Sequence, residues 1–279
     1  MDGRVIYGIA KKEFLDNWRN KWIIAMAAIF LVLTLVVSYA GSSLGGGSGW
    51  QDIDDTIAGM MSIVTFLIPI IGLMLGYAAI VGEKESGSLQ LLLSYPVHRY
   101  EVLVGKFVGL SSVLAFASLI GFGVSGAVIG LSISGMQWGE YGVFIVASFL
   151  IGFAYIALSL CFSAVLQKRS TALGLSVLLW FLFAIIWNTI LLVLLVVTEN
   201  IDLSPGTEFV APTWYHVGAL INPVTAYQTL VAVNIGPVSA NIAGELPSFY
   251  STPVALTVLL AWIAVPLLVA FVIFRRKDI

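Results

Sequence analysis

Six apolar runs divide this chain, and the polar segments between them alternate in charge. The runs are Trp22–Ala40, Ile57–Val81, Phe107–Leu131, Tyr141–Val165, Thr171–Val197 and Val254–Phe274. A bilayer core takes about 20 helical residues to cross, so each run is long enough to span it. Passed through six times from the inside, the chain places all thirteen Lys and Arg on the inner side. Arg4, Lys11, Lys12, Arg19 and Lys21 come first, then Lys84, Arg99 and Lys106, then Lys168 and Arg169, and finally Arg275, Arg276 and Lys277. Asp52, Asp54, Asp55, Glu140, Glu199, Asp202, Glu208 and Glu245 fall outside. Basic residues are retained in the cytoplasm during insertion, so the pattern predicts six crossings with both termini cytoplasmic.

Composition agrees. The chain is 59% hydrophobic and 10% charged, whereas soluble domains carry about 25% charged residues. The expected fold is an all-α polytopic membrane protein, a single domain over residues 1–279. Charge is split by face rather than massed in one patch, so nucleic acid is not an expected partner. Cys161 is the only cysteine; it permits no internal disulfide and reads as a buried structural thiol. Ser38-Tyr39-Ala40 has the small residues of a signal cleavage site, but Trp22–Ala40 is longer than a signal core and follows a long polar segment. It reads as a retained first span.

Residues 1–21 form a predicted amphipathic helix. Ile6, Ala10, Phe14, Trp18 and Trp22 recur every four residues, with Tyr7 and Leu15 on the same broad face and Lys12, Asp16 and Arg19 opposite. Such a helix suits the headgroup plane, with Phe14, Trp18 and Trp22 as membrane-interface anchors to lipid. Gly41–Gly49 reads as a flexible linker. Residues 198–253 form the large outer segment. Its apolar part, Trp214–Val233, is interrupted by Asn222-Pro223; a seventh crossing there would carry Arg275 and Arg276 outside. Short helices over the outer mouth are expected instead. The Gly72/Gly76, Gly105/Gly109 and Gly126/Gly130 pairs offer small faces for helix packing.

The inner segment 82–106 reads GEKESGSLQLLLSYPVHRYEVLVGK. Ser86 or Ser88 is positioned to cap a short helix bearing Leu89, Leu91, Leu92 and Leu93, and Pro96 ends it. A second helix is expected from about Arg99 into the third span. The leucines must pack on lipid, on neighbouring spans or on a partner.

Here the sequence resembles a known family. Glu83, Glu85, Gly87-Ser88-Leu89, Leu92-Leu93-Ser94, Pro96, Arg99, Glu101 and Gly105-Lys106 resemble the first inner loop of ABC-2-type permeases, the membrane subunits of type V ABC transporters. Lys12-Glu13-Phe14 is similar to the family's elbow helix, and Leu220-Ile221-Asn222-Pro223 to its outer motif before the last span. The branch most resembled is the NosY-like permeases, which work beside a nitrous oxide reductase maturation system.

The resemblance implies a permease subunit of the prokaryotic inner membrane. Two permeases, identical or related, would pair with two copies of an ABC ATPase. ATP and Mg would bind in the ATPase, with no cofactor in this chain. Segment 82–106 would hold the coupling helix. Glu83, Glu85 and Arg99 would supply docking charges there, Gly87, Pro96 and Lys106 would belong to its motif, and Leu89, Leu92 and Leu93 would fill a groove in the motor. Lys168 and Arg169 would make a second contact.

No residue here points to catalysis. The chain has no G-x-x-x-x-G-K-[ST] phosphate loop. A membrane enzyme needs paired acids, a Ser–His pair or a metal cluster, and an ion-driven carrier or channel usually carries buried charges at mid-depth. The spans show none of these. Asn188 is the conspicuous polar residue of the fifth span and the candidate pathway residue. No metal is expected, since Met60, Met61 and Met74 read as packing residues and His98 and His216 lack second ligands. An uncharged route suits apolar, amphipathic or neutral cargo, or a permease that passes force to an extracytoplasmic partner protein.

Overall fold

Helices account for nearly all of the described structure, because an apolar solvent leaves the backbone no other partner than itself. The computed structural model describes residues 3–19, 28–29, 31–33, 35–36, 53–132, 137–199, 211–235 and 247–276. Most of the first apolar run, Trp22 with it, and the Gly41–Gly49 linker lie outside the described residues. No strand occurs among the described residues. Five helical stretches among them are long and apolar enough to cross a membrane: Ile57–Glu85, Arg99–Leu131, Trp138–Val165, Arg169–Thr198 and Thr252–Arg276.

In chain order the elements are α1 (Gly3–Trp18), α2 (Ile53–Gly76), α3 (Val81–Glu85), α4 (Ser88–Leu93), α5 (Arg99–Ser132) and α6 (Trp138–Val165). They continue with α7 (Arg169–Phe181), a π-helical turn at Leu182–Ile186, α8 (Trp187–Glu199), α9 (Thr213–Ile221), α10 (Pro223–Asn234) and α11 (Thr252–Arg276). α6 is the central post, in contact with α2, α5, α10 and α11. The glycine pairs permit the close crossings: a Cβ on Gly72 would come within 3.0 Å of the Gly152 carbonyl of α6. Cys161 is buried in α6.

α1 keeps step with α5. A Cβ on Gly105 would lie 2.8 Å from Ile9 Cβ, and one on Gly109 2.7 Å from Glu13 Cβ. Further along both helices, Phe14 and Trp18 meet the Phe116 ring edge to face at centroid distances of 6.0 and 5.1 Å. The two helices therefore run side by side in the same direction. The buried stripe differs from the expected one. Tyr7 is 68% exposed and Leu15 44%, while Glu13 is buried. The cause is the Gly105/Gly109 notch, which draws Ala10 and Glu13 inward and turns Tyr7 and Leu15 out.

The apolar segment between Trp214 and Val233 does break at Asn222, but it does not cap the bundle. α10 is buried along Val224, Tyr227, Leu230 and Val231 and packs between α6 and α11. Asn234 at its end hydrogen bonds Thr252 at the start of α11. The α9–α10 turn meets α11 at Trp262, ten residues further in. That is a depth of about 15 Å at 1.5 Å per residue, near the middle of a core about 30 Å thick.

A turn at that depth must satisfy its own backbone. Asn222 Oδ1 accepts from Val224 N at 2.9 Å, and Asn222 Nδ2 donates to Phe183 O at 2.8 Å. Phe183 sits in the π-helical turn, where the shifted register releases carbonyls. Trp262 Nε1 donates to Ile221 O at 2.8 Å and Trp187 Nε1 to Gly218 O at 3.0 Å. The Asn222-Pro223 motif thus locks a re-entrant hairpin onto the π turn of the α7–α8 span.

Candidate functional site

The chemistry of the chain concentrates at its basic end, where the second span breaks. α2 ends at Gly76 and the backbone turns before α3 begins at Val81. Ser163 of α6 covers the break: its Oγ accepts from Ile80 N and Val81 N, each at 2.9 Å. Lys84 Nζ donates to Ala164 O, also in α6. α3 is thereby fixed to the central post, and its two carboxylates face the neighbouring elements.

Glu83 ties three elements together. Its Oε1 lies 2.9 Å from Lys106 Nζ of α5 and 3.1 Å from Lys12 Nζ of α1. Lys106 is 1% exposed and reaches Glu13 Oε1 of α1 at 2.6 Å. Burial by itself pulls the Lys12 ammonium pKa down, but hydrogen bonding and charge from Glu83, with Glu13 and Asp16, outweigh it and hold the value above that of ordinary lysine. Glu85 points the other way. Its Oε1 accepts from Arg169 N at 2.9 Å and its Oε2 lies 3.4 Å from Arg169 Nε, at the N-terminus of α7, where a carboxylate is favourable. Arg169 Nη2 also donates to Gly82 O at 2.9 Å.

Arg99 is likewise engaged within the chain. Its Nη1 donates to Phe274 O at 2.6 Å, and its guanidinium lies 5.8 Å from the Phe274 ring centroid. A cation so placed satisfies the terminal carbonyls of α11. Glu83, Glu85, Arg99, Lys106 and Arg169 thus form the frame that holds segment 82–106, together with Glu13 and Lys12. Sequence reasoning placed Lys12 on a solvated face and gave Glu13 no role. The available signal was the helical spacing of Glu13 from Ile6 and Ala10, which puts it on the packed stripe.

α4 sits on this frame. The serines do not cap it: its N-cap is Gly87, whose φ of +75° only glycine adopts without strain. Ser86 and Ser88 bond one another and the Glu83 carbonyl instead. The helix stops at Leu93, ahead of Pro96, as the sequence predicts. Leu89 is wholly buried and Leu92 packs against the core, whereas Leu91 is 67% and Tyr95 63% exposed. Gln90, Ser94 and Pro96 share that open side, and the Leu93 side chain lies outside the description. Lys168 is exposed next to α7. Asn188 is exposed on α8 and makes no hydrogen bond among the described residues.

A family model described as ABC-2 family transporter protein matches residues 7–279. The chain belongs to the ABC-2 family of transporter proteins. This ABC-2 permease is 38% identical over 283 residues to a probable ABC transporter permease protein NosY of Stutzerimonas stutzeri, with 98% of each chain covered. It is 36% identical over 284 residues to the protein of the same description from Pseudomonas aeruginosa, with 99% of each covered. It is a multi-pass protein of the inner membrane and the membrane subunit of an ABC transporter. Among the described residues of the permease no cluster of His, Cys, Asp and Glu is arranged to hold a metal.

Proposed function

We propose that this permease is driven by a separate ATPase that docks on the open side of α4. The observation that carries the reading is the division of α4 itself. Leu89 is buried and the adjoining carboxylates are anchored to α1, α5 and α7, while Leu91 and Tyr95 project into water. An exposed leucine on a rigidly held short helix, with an exposed tyrosine just past its end, suits a groove in a partner, as buried aromatic anchors dominate interfaces. Movement of α4 would pass through Glu83 to α1 and α5, and through Glu85 to α7, as a rigid-body shift.

In this reading the chain crosses six times, with Trp22–Ala40 as the first span, α1 as the elbow and both ends in the cytoplasm; residues 198–253 belong to the outer side, from which α9 and α10 fold back into the bundle. ATP and Mg belong to the ATPase, present in two copies. A second permease covers the α8 half of the fifth span, where Asn188 stands among exposed Ile185, Ile190 and Leu194. An amide without a partner in hydrocarbon favours a facing helix. The cargo is apolar, amphipathic or neutral, or the subunit passes force to an extracytoplasmic partner, as the described spans hold no mid-depth charge.

The test is co-purification with the candidate ATPase in mild detergent. Leu91→Asp with Tyr95→Asp is expected to abolish recovery of the ATPase while the permease stays folded. Unchanged stoichiometry in that variant would refute the docking side.

A further inference from the structure

Two cavities of different character share Met74 in their walls. One, of about 490 Å³, lies at the basic end, and its wall includes Lys12, Asp16, Glu83, Ser86 and Arg169. The other is an apolar cleft of about 200 Å³ between α2 and α7, walled by Leu73, Leu173, Val177 and Phe181. Met74 lines both. The same two helices therefore present hydrocarbon towards the bilayer and charge at its edge. From Arg169 to Phe181 the α7 wall runs about 18 Å, close to the depth of one leaflet, which is about 15 Å.

The polar cavity holds both signs in fixed places. Glu83 Oε2 is buried without a hydrogen-bond partner among the described residues, because both lysines bond Oε1. A buried carboxylate oxygen left without a donor is costly. Arg169, which lines the same cavity, uses Nε and Nη2 within the chain and leaves Nη1 without a partner among the described residues. Lys12, Lys106 and Arg169 on this wall are matched by Glu13, Asp16 and Glu83, so the site favours a zwitterion over an anion.

We propose that these two adjacent cavities together bind one aminophospholipid of the inner leaflet. The ammonium group donates to Glu83, the phosphate sits at Arg169 beside Lys12, and one acyl chain enters the α2–α7 cleft along Val177 and Met74. A second copy of the chain laid on α7 would fill the apolar cleft but leave the buried carboxylate oxygen without a donor.

Native mass spectrometry of the full chain tests this, after delipidation and titration with phosphatidylethanolamine or phosphatidylglycerol of matched chains. The expected result is one phosphatidylethanolamine per chain, retained about tenfold more tightly than phosphatidylglycerol, the weight of a charged hydrogen bond. Val177→Trp, which fills the cleft at an exposed position, and Arg169→Ala should each cut retention about tenfold. Glu83→Gln should erase the preference between the two lipids. Val177→Trp leaves the charge network untouched, so it decides the matter even if Glu83→Gln fails to fold. Equal retention of both lipids, retention indifferent to Val177→Trp, or displacement by phosphoethanolamine lacking a tail would each overturn the proposal. So would Val177→Cys cross-linking to a second copy in the presence of saturating lipid.

Discussion

The basic end and the mid-membrane turn both bury polar groups, yet they use different chemistry. At the basic end Glu13, Lys106, Glu83 and Lys12 form a charged network within contact distance of one another. At the α9–α10 turn the polar partners are neutral: the Asn222 amide, two indole N–H groups and backbone carbonyls. The difference teaches where each currency works. Near water, ions gain strong pairing at a tolerable desolvation cost; at mid-depth a charge costs several kcal/mol, and only dipoles remain.

The comparison breaks most severely at Lys106. Lys106→Met removes the nearest partner of the buried Glu13 carboxylate and leaves Glu83 with Lys12 alone, and should destabilise the chain by about 3–5 kcal/mol in a detergent unfolding titration. Adding Glu13→Gln should recover part of that loss, because the two residues are coupled. At the turn, Asn222→Ala strands Phe183 O and Val224 N, at about 1–3 kcal/mol each. Asn222→Asp sharpens the contrast: although isosteric, it should destabilise more than a single lost bond does, since it charges a mid-membrane site. Arg99→Ala uncaps α11 and should cost about 1 kcal/mol, read from the same titration. Glu85→Gln touches an exposed pair and should change stability by about 1 kcal/mol or less. The smallest effect belongs to Lys12. Its raised pKa means that its contribution is complete at neutral pH and is lost only as pH climbs above the ordinary lysine range. Alkaline melting of a Lys12→Met variant should therefore lack the final loss of stability shown by the parent.

Spans two to six were legible in the sequence because hydrocarbon imposes length and apolarity on any crossing helix. The breaks near Pro96 and Asn222 were legible because proline restricts the residue before it. The frame around α4 was not. Glu83, Glu85 and Arg99 read as charges for a partner, since nothing local shows that Lys106 and Glu13, ninety-three positions apart, meet beneath them. The leucines of α4 were legible as a group, but which of them faces water depends on how Ser163 turns α3 at its start. The depth of the α9–α10 hairpin was hidden too, because the π turn that receives Asn222 carries no mark in the sequence Leu182–Ile186.

The central claim is that α4 is an anchored platform whose Leu91 side meets a motor in the cytoplasm. Leu91→Cys in a Cys161→Ser background, probed with a membrane-impermeant maleimide, tests it most directly. The account predicts labelling only from the cytoplasmic side of inside-out vesicles and protection when the ATPase is bound, with Leu89→Cys unlabelled in both states. Labelling of Leu91→Cys from the outer side, or labelling indifferent to the ATPase, would contradict it.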